Sequence, residues 1–166
     1  LVRRSGLVLP EHTFYVDFIY SFVPVIGVRT FEYLDVDLYR YFIGRDDQSV
    51  NEQVMISRVD QLLRVNAAMV DAIPHPDDVP PKLYRYLVHY LRINCVICTV
   101  MLLRSGTEEN AARKDELWAQ LEAKKPEAYR AVRRDLLGRL ITLRSKPGRA
   151  VIMSGYHISQ WVLGFN

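Results

Sequence analysis

From residue 51 onward, apolar side chains return at three- and four-residue steps, the stripe of amphipathic helices. Met55, Val59, Leu62, Met69 and Ile73 form the first such stripe. Asn51 stands before it as an N-cap, with Val54 rather than Glu at the third following position, so no capping box is formed. Asn66 interrupts the stripe, and a hydrogen-bonded core amide is the commoner origin of such a residue than a ligand contact. The run Pro74-His75-Pro76-Asp77-Asp78-Val79-Pro80-Pro81 is too dense in proline for a helix and reads as a linker, with His75 solvated. Lys82 to Arg104 reads as a second helix with a polar face at Lys82, Arg85, His89 and Arg92. Beyond Asn94 it is apolar nearly all round, which suits the centre of a bundle. Ser105-Gly106 stops it. Thr107 caps a third helix with Glu108 and Glu109 in its first turn, burying Leu117, Trp118 and Leu121. Pro126 opens a fourth, striped by Tyr129, Val132, Leu136, Leu140 and Leu143. Lys146-Pro147-Gly148 breaks it, and a fifth runs from about Arg149 to Leu163 with Val151, Ile158, Val162 and Phe165 on one side.

The first fifty residues follow another pattern. Phe14 to Val28 is strongly apolar and predicts a helix that Pro24 interrupts and Gly27 ends. Thr30 to Val36 and Leu38 to Ile43 are rich in aromatic and β-branched residues around a turn at Asp35-Val36-Asp37, which predicts two short strands. Two strands alone are marginal, so they must lean on helices. Gly44 to Val50 reads as a polar loop. The expected fold is therefore mainly α: a bundle of about five helices with a small N-terminal two-stranded β element, divided into residues 1–50 and 51–166.

Composition narrows this further. A chain of 166 residues, 49% apolar and 25% charged, is an ordinary globular balance with enough material for one core. A net charge of +3 is too small to argue for a nucleic-acid partner, and none is expected. The two cysteines, Cys95 and Cys98, lie in an apolar run with no second pair to complete a metal site. They read as reduced core thiols, which fits a reducing cytosol. The apolar run Ile93 to Leu103 is about half the ~20 residues that span a bilayer, and the first residues show no secretory pattern. A cytoplasmic location follows as the expectation.

Candidate chemistry concentrates near the N-terminus. Asp17 follows Glu11-His12-Thr13-Phe14-Tyr15-Val16 and begins a predicted helix. A carboxylate at such a junction among apolar residues has the surroundings that raise proton affinity, as a general base requires. The plainer alternative is an acidic residue favoured by the helix dipole. Arg45, Gln48 and Ser49 offer donors suited to a diphosphate or a sugar, or else form a solvated turn. Asp46-Asp47 lacks further oxygen ligands, so no metal site is expected there. Arg130, Arg133, Arg134, Arg139, Arg144, Lys146 and Arg149 form a basic run, either a solvated face or a surface for anionic lipid at the inner face of a membrane.

The run Leu9-Pro10-Glu11-His12-Thr13-Phe14-Tyr15-Val16-Asp17, with Phe31-Glu32-Tyr33-Leu34-Asp35 and Leu38 to Val50, resembles the end of the catalytic domain of bacterial family 2 glycosyltransferases. These are inverting enzymes of the GT-A type that build capsule, exopolysaccharide or wall polymers. The family closes a loop beside the acceptor with an acidic pair whose Asp is the general base; here the pair reads Val16-Asp17. The resemblance implies that Asp17 is the base and that the Arg45, Gln48, Ser49 segment lies near the active site; it lets His12 contact a sugar hydroxyl or phosphate, with a structural hydrogen bond to nearby backbone as the equal alternative. It covers about the first seventy residues well, and the ending Gly164-Phe165-Asn166 is also similar to family members. It further implies an upstream nucleotide-binding half with an Asp-x-Asp motif for a divalent metal, Mg or Mn, a nucleotide-sugar donor, and a saccharide or lipid-linked acceptor. This chain supplies no such motif and begins at Leu1, so the expectation is a C-terminal piece of a longer enzyme, inactive alone and without a cofactor of its own. The alternative of a different class is a non-catalytic helical module that docks on a membrane, a partner or a second copy of itself as a homodimer.

Overall fold

The structure, a computed structural model, describes residues 1–40 and 51–163, with side chains as far as residue 161. It is mainly helical, as the periodicity predicts, with eight α-helices among the described residues. These are α1 (Asp17–Phe22), α2 (Glu52–Ser57), α3 (Val59–Ala72), α4 (Pro81–Arg104), α5 (Glu108–Lys124), α6 (Pro126–Val132), α7 (Leu136–Ile141) and α8 (Lys146–Leu163). Short 3-10 turns occupy Val2–Arg4, Pro24–Gly27 and Pro76–Asp78.

The predicted two-stranded β element is not formed among the described residues. Residues 28–40 carry no ladder hydrogen bonds; Val36 N–H donates to the Leu34 carbonyl and Leu38 N–H to that of Val36, both at 3.0 Å. Phe31, Tyr33, Leu34, Val36, Leu38 and Tyr39 are exposed. The physical reason is that β propensity measures fit to a paired, half-buried surface, and among the described residues this run has no partner strand to pair with. Residues 41–43 of the second predicted strand lie outside the described residues.

Helix α4 is the axis of the fold and packs against α1, α2, α3, α5, α6, α7 and α8. It is long and apolar enough to cross a membrane, yet Leu87, Leu91, Asn94, Cys95, Cys98 and Leu102 are wholly buried against protein. Its neighbours supply Leu62, Val65 and Met69 from α3 and Trp118 and Leu121 from α5 to one continuous core. Trp118 satisfies its indole N–H on the Thr99 hydroxyl at 3.0 Å. Asn66 is the hydrogen-bonded core amide expected of it: its Nδ2 donates to Asn94 Oδ1 at 2.9 Å and to Cys95 Sγ at 3.1 Å. Both cysteines are buried free thiols. Burial pushes the Cys95 thiol up to about 12 and Cys98 well above its ordinary value.

Local chemistry sets the boundaries. Asn51 caps α2 by accepting from Gln53 N–H at 3.0 Å. Thr107 caps α5 through Asn110 N–H at 3.2 Å, after Gly106 turns the chain at φ +72°, a conformation that favours glycine. Two predicted helices are each divided. The first breaks at Arg58, whose guanidinium lies 3.8 Å from the centre of the Phe14 ring. The fourth breaks at residues 133–135, where Asp135 caps α7 by accepting from Gly138 N–H at 2.8 Å. The break rotates the stripe, so Leu136 faces solvent at 72% exposure instead of continuing the core face of Tyr129 and Val132.

Lys146-Pro147-Gly148 opens α8 rather than preceding it. Pro147 sits in the first turn, where an N–H has no intrahelical acceptor, and the Ser145 hydroxyl accepts from Gly148 N–H at 3.2 Å. The buried face of α8 carries Ile152 and Tyr156, whereas Val151 and Ile158 are exposed. Tyr156 decides that orientation, because its hydroxyl donates to Glu52 Oε2 at 2.7 Å while Arg104 Nε donates to Glu52 Oε1 at 2.9 Å. Burial raises the Glu52 carboxyl, but the hydrogen bonds from Arg104 and Tyr156 outweigh it, and the group is held below the usual carboxylate range. Burial and the Glu52 contact push Tyr156 up to about 12. One network thus joins α2, α4 and α8.

Candidate functional site

Residues 11–17 form a loop whose shape is fixed from below by α3. Phe14 N–H donates to Gln61 Oε1 at 2.7 Å. Arg64 Nη1 donates to the Thr13 hydroxyl at 2.9 Å, and that hydroxyl donates to the Glu11 carbonyl at 3.0 Å. With Arg58 against the Phe14 ring, three residues on one side of the α2–α3 junction and α3 hold the loop. His12 and Tyr15 both adopt left-handed backbone, at φ 50° and 67°. Such conformations in non-glycine residues are costly and persist where the surroundings over-determine them. Tyr15 is buried while Phe14 and His12 are exposed. The alternation turns the loop so that Asp17 emerges as the first residue of α1.

Helix α1 is nailed to the bundle by its other face. Ile19 and Phe22 are buried in the common core. Phe18 and Phe22 meet Tyr90 of α4, with ring centres 5.6 Å and 6.3 Å apart, and Tyr90 stacks on Tyr86 at 6.1 Å. Asp17 itself is exposed. Its charge is felt by two phenols. Burial, opposed by Arg58 and helped by Asp17, pushes Tyr15 above its ordinary range. Burial also raises Tyr90, against a hydrogen bond with Ser21 and with smaller contributions from Tyr86 and Asp17. The structure therefore brings His12 and Asp17 onto one exposed loop at the N-terminus of α1. The expected apolar enclosure of Asp17 is replaced by a solvent-facing carboxylate, while Phe14 lies against Arg58, Tyr15 is buried and Phe18 meets Tyr90. Arg45, Gln48 and Ser49, together with Asp46-Asp47, lie outside the described residues.

A second concentration of charge is on the opposite side of α4. A groove of about 740 Å³ runs between the N-terminal half of α4 and α6. Arg85, His89 and Arg92 line one wall, Arg130 and Arg134 the other, and Val88, Ala131 and Val132 the floor. Arg92 donates to Asp135 Oδ2 at 2.6 Å, and Arg130 pairs with Glu127 at 2.7 Å. Tyr84 on the rim has its phenol raised by burial, with Glu127 adding to the rise and Arg134 and Arg130 opposing it. The polar face of α4 and the basic run after Pro126 are each visible in the sequence. Their convergence is not, since it depends on how α6 lies across α4. The spacing of Arg85, His89 and Arg92 on one helical face is the signal that points to it.

Several charges elsewhere are paired with one another. Lys114 is wholly buried, contacts the Leu143 carbonyl and pairs with Asp115 at 2.6 Å; burial holds its ammonium below the usual lysine range. Arg149 pairs with Asp115 at 3.0 Å and Glu108 at 3.2 Å, and Arg144 with Glu122 at 3.1 Å. Among the described residues no cluster of three His, Cys, Asp or Glu could ligate a metal ion, so the divalent metal implied by the resemblance takes no ligand set from them. No protein-family model, no curated protein and no solved structure matches the chain.

Proposed function

We propose that the chain is the C-terminal part of an inverting glycosyltransferase that moves a sugar from a nucleotide-sugar donor to a saccharide or lipid-linked acceptor, with Asp17 as the general base. The observation that carries this reading is the loop of residues 11–17: two non-glycine residues, His12 and Tyr15, are held in left-handed backbone by α3 around a carboxylate that faces solvent. Strain of this kind belongs where a side chain has to be aimed, and a plain helix N-terminus needs none of it. The resemblance of Leu9 to Asp17 to the acceptor loop of family 2 enzymes supplies the chemistry.

In that chemistry the acceptor hydroxyl attacks the anomeric carbon as its proton passes to a carboxylate Oδ of Asp17. The bond to the nucleoside diphosphate breaks on the opposite face, and the configuration inverts. His12, exposed on the same loop, would hydrogen-bond the acceptor. The bundle of α3 and α4 serves as the rigid mount, which matters because a misaimed base loses most of its advantage. A base without a bound, oriented donor loses a proximity contribution on the order of 7–11 kcal/mol, so these residues transfer no sugar by themselves.

The test is Asp17→Asn in the enzyme with its donor-binding half. Transfer should fall by about 10²–10⁴-fold, the range a positioned base contributes, while donor affinity stays within about twofold. Turnover near that of the native enzyme would remove Asp17 from the role.

A further inference from the structure

Within the basic run after Pro126, four of the seven cations are already answered; Arg139 and Lys146 form no ion pair among the described residues and do not line the groove. Arg130, Arg144 and Arg149 are paired with Glu127, Glu122 and the Glu108–Asp115 couple, and Arg133 leans on the Tyr129 ring. Arg134 has no ion pair among the described residues, and neither has Arg85 across the groove. Both are exposed and line the same concavity. The groove thus presents two guanidinium groups that have no ion pair among the described residues, alongside Arg92 and Arg130 and two carboxylates, Asp77 and Glu127, the latter already held by Arg130.

Beside it, at the start of α7, lie two exposed apolar side chains. Arg92, a groove residue, holds Asp135, and Asp135 caps α7, so the next two residues are fixed beside the groove. Those residues are Leu136 and Leu137, exposed at 72% and 57%. Nothing about this placement is loose. A Cβ at Gly138 would stand 1.8 Å from the Val132 carbonyl oxygen, so α7 is pressed against the end of α6 as closely as backbone permits. Two leucines locked outward beside unpaired arginines match a bilayer interface, where phosphates meet cations and acyl chains receive apolar side chains.

We propose that the α4–α6 groove and the start of α7 form a docking surface for an anionic membrane, Arg85 and Arg134 taking lipid phosphates and Leu136 and Leu137 entering the acyl boundary. Charge complementarity selects the occupant: the exposed cations of the groove require an anion, and the adjoining leucines require that the anion come with hydrocarbon. A soluble phosphate satisfies only the first condition. This surface is independent of the Asp17 loop and holds whether or not that carboxylate is a base.

Co-sedimentation with vesicles tests it. Vesicles of equimolar phosphatidylcholine and phosphatidylglycerol should bind the protein, pure phosphatidylcholine vesicles should not, and raised salt should weaken binding without abolishing it. Arg85→Glu with Arg134→Glu should lower the partition coefficient by about tenfold or more. Leu136→Ser with Leu137→Ser should lower it at high salt most, where insertion carries what charge no longer does. All four side chains are exposed, and circular dichroism melts verify that the variants fold. Arg3→Glu with Arg29→Glu makes the same change in net charge on exposed residues outside the groove and should leave binding within about twofold. Equal loss in that control, equal binding to both vesicle types, or full displacement by soluble glycerol phosphate at matched phosphate concentration would each overturn the proposal.

Discussion

Glu52 is the residue on which three helices agree. Its two oxygens receive Arg104 from α4 and Tyr156 from α8. The pH dependence of stability should show this pair from both sides. The Glu52 carboxyl lies below its unfolded value, so its contribution is present above the ordinary carboxylate range and is lost as pH falls through the folded value. Tyr156 lies above its unfolded value of 10.0, so its contribution is complete below that pH and is lost as pH rises towards about 12. Tyr156→Phe should cost about 1–2 kcal/mol at neutral pH, remove that alkaline loss, and move the acid loss to higher pH because Glu52 has lost a donor. Urea unfolding of both proteins across the pH range measures it. Parallel pH profiles for the two would show that the pair does not hold α8. Asn66 gives a similar lesson in legibility. A lone amide in an apolar stripe could be read from sequence as a satisfied core group, but its partners, Asn94 and Cys95, could not, because they lie on a different helix.

At the scale of the element, two glycines in helices should respond in opposite ways. Gly138 in α7 has no room for a methyl group against the Val132 carbonyl, whereas Gly155 in α8 has nothing within 4 Å. Gly138→Ala should cost about 1–3 kcal/mol, the range of overpacking, and shift α7. Gly155→Ala should gain about 0.5–1 kcal/mol from backbone entropy alone. Thermal melts of the two variants decide it, and a neutral result at Gly138 would mean that α7 is not pressed onto α6. The elements the sequence made legible are those whose signals are local: the Asn51 and Thr107 caps, the Gly106 stop, and Pro126 at a helix start. The misread ones depend on distant partners. Leu136 continues a perfect stripe by spacing and is exposed, because Asp135 finds both Arg92 and its own helix N-terminus and turns the chain there. Thr30 to Val36 has strand composition and no strand, since propensity counts neighbours it does not have. Of the candidate site, Asp17 and His12 were legible in the residues, while the left-handed loop that carries them was not, because Gln61 and Arg64 come from about fifty positions away.

For the molecule as a whole, α4 organises everything, and stability should be graded by distance from it. Amide hydrogen exchange should find residues 87–102 opening only with global unfolding, and residues 29–35 exchanging near the rate of an unfolded chain. Residues 17–22, tied to Tyr90 by two rings, should fall between. Protection of residues 30–40 above that of α4 would contradict a helical core that carries an exposed N-terminal run. The same burial gives the chain a timer of its own. Cys95 and Cys98 are sealed where α3 meets α4, with their thiols held protonated, so an alkylating reagent reaches them only when those two helices part. Each molecule that gains the label has come open once, and the pace of labelling, read by mass, reports how often the centre of the protein comes apart, without any probe having been built in.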